Sequence, residues 1–196
     1  MTSGPRTNGV ACLAGLALAL LSALAHAGTA VAFERLMGLL AARQRGAVTF
    51  TARTYAAGLT RPLVSSGLLR YRAPDHLEQL TRQPAASALI LDGEHLTVRR
   101  DGRTRHLDLR DYPDIAVYVA ALRDTLNGRG ARLQRQFAVG WHGTLAHWRL
   151  TLRPLQHNAP VRRIRLTGSA ADIHSIEILA PDGARTVMRL GPPPAA

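Results

Sequence analysis

The stretch ALILDGEHLTVRRDGRTRHLDLR, residues 88–110, decides the fold class of this protein. Apolar and polar residues alternate before and after Asp92-Gly93, and a further run follows Asp101-Gly102. An Asp-Gly pair between alternating runs is the strongest short-range signal for a β-hairpin with a tight turn. The stretch therefore predicts three consecutive antiparallel strands that form a meander.

Further alternating segments lie on both sides of this meander. They are residues 47–53, 67–72 and 76–82 before it, and residues 132–141 and 148–152 after it, with shorter runs around Ile164, Ile176 and Met188. The segments show neither a strand–helix–strand rhythm nor a repeat of fixed length. The sequence thus predicts an antiparallel sheet of about ten strands.

Two segments have helical rather than alternating periodicity. Residues 31–44 place Phe33, Leu36, Met37 and Leu40 on one helical face, and residues 113–127 do the same for Ile115, Val119, Leu122 and Leu126. Each helix needs an apolar surface to lie on, which a curved sheet provides. We therefore predict an α+β fold that is mainly antiparallel β, an unclosed half-barrel with helices packed in its mouth. Such a half-barrel encloses a ligand where inward side chains leave space.

The first 27 residues have the pattern of a secretory signal peptide. An apolar run over residues 10–24 precedes Ala25-His26-Ala27, the small-x-small pattern that signal peptidase reads. A transmembrane anchor is the alternative, but it needs roughly 20 apolar residues. Cys12 stands near the start of the run, where a lipid-modified cysteine is not expected. We expect residues 1–27 to be removed on export to the periplasm, residues 28–190 to form one domain, and residues 191–196 to be a disordered tail.

The residue types exclude several chemistries. All 25 basic residues are Arg, against 13 acidic residues, which gives a net charge of +12. A chain without lysine has no Schiff-base catalysis, and a single cysteine forms no cysteine-based zinc site. The histidines lack metal-ligand spacing, and no nucleophile–base motif is present. We therefore expect a protein that is not an enzyme and that binds no metal or other cofactor.

Arginines cluster in residues 99–105, 129–135 and 162–165. They are interpreted either as a solvated strand face or as a surface for anionic lipid head groups or an acidic partner. A nucleic-acid partner is the third interpretation, but no set of aromatic residues for stacking bases accompanies the arginines. We expect no nucleic acid among the partners.

Three segments resemble the LolA-type family of outer-membrane lipoprotein carriers. AVTFT at residues 47–51 is similar to the family's first strand, GLLRYRAPD at 67–75 to its segment ending in Arg-Pro, and LILDGEHL at 89–96 to its strand–Asp-Gly–strand hairpin. The resemblance implies a monomeric periplasmic half-barrel with a helical lid over a hydrophobic cavity. It implies lipid or lipoprotein acyl chains as cargo, an inner-membrane donor and an outer-membrane acceptor.

One position departs from the family pattern. In the main carriers an Arg directly before the Pro helps to hold the lid shut, and here that position is Ala73. Arg72 precedes it, and strand alternation places Arg72 on the opposite face. Arg72 is therefore only a candidate lid contact, and the departure indicates a divergent branch of the family.

The apolar residues of the two helices and of the predicted inner strand face are the candidate lipid-binding residues. They are Phe33, Leu36, Leu40, Phe50, Leu69, Tyr71, Leu89, Leu91, Leu96, Val98, Ile115, Val119, Leu122, Trp148 and Leu150. Each of them is equally compatible with a place in a plain hydrophobic core. The alternative function is a periplasmic sensor or scaffold that uses the same half-barrel to bind a protein partner.

Overall fold

The computed structural model describes residues 31–192. The α-helices are α1 (residues 31–42), α2 (Pro113–Leu126) and α3 (Gly130–Gln136), and a 3-10 helix covers Leu109–Asp111. The strands are β1 (Arg45–Tyr55), β2 (Leu63–Arg72), β3 (His76–Gln83), β4 (Ser87–Asp92), β5 (His95–Arg100), β6 (Arg103–Asp108), β7 (Phe137–Thr144), β8 (His147–Pro154), β9 (Arg163–Ser169), β10 (Asp172–Leu179) and β11 (Arg185–Leu190). The predicted signal peptide and residues 193–196 of the predicted tail lie outside the described residues.

The strands form one antiparallel sheet that does not close. Their order is β6-β5-β4-β3-β2-β1-β11-β10-β9-β8-β7. The edges are therefore β6 and β7, the two strands between which the chain forms α2 and α3. The pairing of β1 with β11, which sets Phe50 opposite Leu190, joins the two halves of the sheet. The predicted α+β class and unclosed half-barrel are confirmed, with eleven strands in the described chain.

The predicted meander of β4, β5 and β6 is confirmed. Its second turn has positive φ at both Asp101 (52°) and Gly102 (70°), the left-handed conformation that suits Asp-Gly in a two-residue hairpin. In the first turn, Asp92 remains in its strand and pairs with His95. The loop residues there are Gly93 and Glu94, one position later than the sequence pattern indicates.

The structure has a helix, α3, in a region where the sequence predicts only a strand over residues 132–141. Leu133 and Phe137 are four residues apart, and both are buried in the same hydrophobic cluster. One turn of helix brings residues at this spacing onto the same face. The alternation of Phe137, Val139 and Trp141 is real, but the strand that carries it, β7, begins only at Phe137.

Two hydrophobic clusters hold the helices against the inner face of the sheet. The larger joins α1 and α3 to strands β7–β10 and includes Leu36, Leu133 and Leu150. The smaller joins α2 to strands β3–β6 around Leu91 and Leu109. Within residues 31–192, no helix combines the length and the apolar character that a membrane crossing requires.

An apolar cavity under the helices

A cavity of about 340 Å³ lies between the sheet and the helices. Strands β1–β5 and β9–β11 form its wall on the sheet side, and residues of α2 together with the end of α1 cover it. Its lining is dominated by Leu, Ile and Val side chains. The volume falls within the range of roughly 300–1,000 Å³ that small-molecule sites occupy in proteins.

The cavity exists because the two clusters cover the two halves of the sheet and leave its middle open. At the middle, β1 contributes the short residues Gly46 and Val48, which lie opposite Tyr71 and Leu69 of β2. Close packing in a protein interior requires side chains that fill the space between layers. Short residues at the centre of a curved sheet leave that space unfilled.

The candidate residues divide between this cavity and the packed clusters. Those that line the cavity are Leu40, Leu69, Tyr71, Leu89, Leu91, Leu96, Ile115, Val119 and Leu122. Phe33, Leu36, Trp148 and Leu150 belong instead to the larger cluster, Val98 packs against the smaller one, and Phe50 is buried on β1 away from the lining. The sequence therefore identified the apolar inner face, but it did not distinguish residues of the cavity wall from residues of the packed hydrophobic clusters.

The sequence did not identify the wall residues of the C-terminal strands. Ile173, Ile176 and Ile178 of β10 line the cavity, as does Leu190 of β11. Their alternation marks a strand, but only the β1–β11 pairing brings that strand next to β1 and β2. No local signal in the sequence indicates this pairing.

Two tyrosines place their rings at the cavity and their hydroxyl groups outside its apolar wall. The Tyr71 hydroxyl donates to the amide oxygen of Asn127 (3.1 Å), and the Tyr118 hydroxyl donates to the carbonyl oxygen of Pro160 (2.9 Å). Burial raises the pKa of both phenols. Both groups are therefore neutral donors at ordinary pH, and neither brings a charge to the cavity.

Charged groups near the cavity pair with one another. Arg43, at the end of α1, pairs with Asp172 at the start of β10. Glu78 accepts hydrogen bonds from His76 (3.0 Å) and Arg70 (3.2 Å), which hold the pKa of its carboxyl below the usual range. Arg70 and Glu78 are opposite one another on β2 and β3, on the strand face away from Leu69. The wall itself is suited to an uncharged, flexible apolar ligand.

Asn127, directly after α2, fastens this helix to the turn between β2 and β3. Its side-chain nitrogen donates to the carbonyl oxygen of Pro74 (2.6 Å), and its side-chain oxygen accepts from Tyr71. One helical turn earlier, Arg123 donates to the carbonyl oxygen of Gly93 (3.2 Å) and to the carboxylate of Glu94 (3.1 Å). These contacts hold the covering helix against two turns at one end of the sheet.

Arg72, the candidate lid contact, does not take part in this fastening. It is exposed and lies opposite Arg45 on one side and His76 on the other. Within residues 31–192 it makes no hydrogen bond or ion pair with its side chain. A lid role for Arg72 requires a conformation other than this one.

Replacing Asn127 with alanine is expected to loosen α2. The change removes two long-range hydrogen bonds, each contributing about 0.5–1.5 kcal/mol. We expect hydrogen exchange of amides in α2 to become about tenfold faster without global unfolding. Asn158→Ala, in the exposed loop between β8 and β9, is the matched control. Unchanged exchange in Asn127→Ala would contradict the assignment of Asn127 as the fastening residue.

The family assignment comes from a family model described as outer membrane lipoprotein carrier protein LolA-like, which matches residues 25–191. No curated protein is similar enough in sequence to match this chain. The match covers the whole described sheet and all three helices.

Several solved structures are similar in fold at low identity. A LolA superfamily protein from Nitrosomonas europaea is 10% identical, with 84% of this chain and 91% of that chain covered and a TM-score of 0.44. For a putative outer membrane lipoprotein-sorting protein domain from Vibrio parahaemolyticus, the identity is 9%, the coverages are 82% and 89%, and the TM-score is 0.43. For the MucA/MucB complex of Pseudomonas aeruginosa, the identity is 13%, the coverages are 83% of this chain and 58% of that chain, and the TM-score is 0.38. These TM-scores are below 0.5, so the assignment rests on the family model: the chain belongs to the family of LolA-like outer membrane lipoprotein carrier proteins.

Proposed function

We propose that this protein is a periplasmic carrier that shields an acyl or other lipid chain in the apolar cavity and moves it between the inner and outer membranes. The observation that carries the proposal is the cavity itself, about 340 Å³ in volume and walled by aliphatic side chains. Family membership supports it. The work of such a carrier is physical, because no bond in the cargo has to be made or broken.

The energetic reason for a carrier is the cost of exposing a lipid chain to water. Each methylene group left in water costs about 0.8 kcal/mol relative to an apolar environment. A cavity bounded by Leu69, Val119 and Ile176 removes that cost for the part of the chain that it encloses. The charged residues that border the cavity, Arg43, Arg70 and Glu78, are held in ion pairs, so the aliphatic wall sets no unpaired charge against an entering chain.

Movement of α2 would assist loading. Its residues Ile115, Val119 and Leu122 line the cavity, so a shift of the helix would widen the access of a chain to the wall. The contacts of Asn127 and Arg123 oppose that shift and take over the place of the family's Arg-Pro latch. A donor at the inner membrane would load the cavity, and an acceptor at the outer membrane would receive the cargo.

The experiment that tests the proposal is mass spectrometry of lipid extracted from the purified periplasmic protein. We expect a lipid in stoichiometric amount, and its displacement by a fluorescent fatty acid that binds saturably. Protein that carries no lipid and takes up no apolar probe would contradict the carrier function. That result would favour the alternative, a scaffold or sensor that binds a protein partner through the half-barrel.

A further inference from the structure

The hairpin tip between β1 and β2, residues 53–64, exposes an unusual concentration of apolar surface. Tyr55, Leu59, Leu63 and Val64 are 40%, 42%, 62% and 47% exposed, and they are four of the nine large hydrophobic residues found exposed in the described chain. Single exposed apolar residues are ordinary on protein surfaces, whereas a cluster indicates an interaction site. The cavity does not explain why these apolar side chains are exposed, because none of them lines it.

The geometry of the sheet leaves this tip uncovered. The pairing of β2 with β3 begins only at Ser66, so Leu63 and Val64 extend past the end of β3. On the other side they pair only with Thr54 and Arg53 of the same hairpin. On its other side β1 stays paired with β11 as far as Tyr55, so the uncovered edge of the hairpin is the one formed by Leu63 and Val64. This edge and the loop after Tyr55 lie at the end of the half-barrel opposite the turn that contains Pro74.

The tip is basic as well as apolar. Residues 45–74 contain no Asp or Glu, and Arg53 and Arg61 lie within the tip. The guanidinium of Arg185, on the neighbouring β11, lies 5.0 Å from the ring centroid of Tyr55. None of the ion pairs formed among residues 31–192 involves these three arginines.

The antiparallel arrangement gathers further arginines at the same end of the sheet. Arg99 and Arg103 flank the turn between β5 and β6, and Arg153 and Arg162 flank the loop between β8 and β9. The acidic residues in the turns at this end are Asp101, which pairs with Arg100, and Asp182, which accepts from the backbone nitrogen of Ala184. The tip therefore projects from a surface with a large excess of positive charge.

We propose that the hairpin tip docks the protein on an anionic lipid bilayer. Leu59, Leu63 and Val64 would enter the interface between head groups and acyl chains, and Tyr55 would lie at head-group level, as aromatic residues do in membrane interfaces. The surrounding arginines would meet the phosphate groups. An acidic protein would account for the arginines but not for aliphatic side chains at the apex of a projecting hairpin. This docking goes beyond the proposed carrier function, since it does not depend on whether the cavity holds a lipid.

Vesicle sedimentation tests the docking surface with two pairs of matched variants. The exported protein is mixed with vesicles of phosphatidylcholine alone or of phosphatidylcholine with phosphatidylglycerol, and binding is expected only to the second. Leu63→Ser should weaken binding about tenfold, whereas Leu39→Ser, at a position 38% exposed on α1, should not. Arg53→Gln/Arg61→Gln should weaken it about fivefold for each arginine removed. Arg45→Gln/Arg72→Gln, with the same charge change at the opposite end of β1 and β2, should have little effect.

All variants share the same N-terminus, so any contribution of the N-terminal residues to vesicle binding cancels when the variants are compared. Equal binding by the tip variants and their controls would overturn the proposal, as would the absence of binding to anionic vesicles. Binding that depends on Arg53 and Arg61 but not on Leu63 would also overturn it. That last result would indicate a purely electrostatic surface, such as one for an acidic protein.

Discussion

Replacing Val119 with glutamate is expected to lower the affinity for an apolar-chain probe by about a hundredfold or more while the protein stays folded. Val119 is partly buried on α2 and lines the cavity, so a carboxylate there would lie against aliphatic side chains. An unpaired charge in such surroundings costs several kcal/mol, and a bound acyl chain would also exclude the water that hydrates it. In the unliganded protein, the cavity gives the carboxylate room.

The measurement is titration with a fluorescent fatty acid, accompanied by circular dichroism. Val31→Glu is the control, because it makes the same change on α1 at a position that is 60% exposed and outside the cavity. Retained probe binding in Val119→Glu would show that the acyl chain does not occupy this cavity. A wild-type protein without saturable uptake would remove the carrier function altogether.

Replacing Leu36 with alanine is expected to lower the free energy of unfolding by about 2–5 kcal/mol. Leu36 is completely buried in the cluster that joins α1 to the C-terminal strands, and it does not line the cavity. Truncating a side chain in that position removes its contacts and leaves a void. The loss is large beside the total stability of a domain, so Leu36→Glu is expected not to fold.

Denaturant unfolding followed by circular dichroism measures this loss, and Leu39→Ala is the matched control. Leu39 lies on the same helix with 38% of its surface exposed, where truncation should change stability by no more than about 0.5 kcal/mol. The Leu36→Ala protein that remains folded should bind the probe nearly as well as the wild type. Full stability together with lost probe binding would place Leu36 in the binding site instead of the core.

Leu36 and Val119 are both candidate lipid-binding residues in the sequence, but the structure gives the first a role in stability and the second a place in the cavity. Leu36 and Val119 both follow from helical periodicity, which shows that a residue faces the sheet. Periodicity does not show whether that side chain packs directly against the sheet or is separated from it by a cavity. That depends on where α1 and α2 cross the strands: the structure places Leu36 inside the larger cluster, and Val119 beside the smaller cluster with a side chain that lines the cavity.

The sequence was least informative about the helices that cover the sheet and about the contacts that hold them there. The sequence predicts a strand where α3 forms, because Phe137, Val139 and Trp141 alternate directly after it. The fastening through Asn127 was also missed, since an asparagine after a helix is ordinarily only a helix terminator. Its contact with Pro74 joins positions that are 53 residues apart.

Local residue patterns predicted α1, α2, most strands and the pairing of neighbouring strands in the meander. Asp101-Gly102 has the backbone freedom that a tight hairpin needs, and alternation of apolar residues fixes which strand face turns inward. Such signals act over a few residues and are therefore visible in the chain. The pairing of β1 with β11, the place of β10 in the cavity wall and the open middle of the sheet became visible only in the folded structure. These features depend on side chains brought together across more than a hundred residues, where packing volume and not local periodicity determines which contacts form.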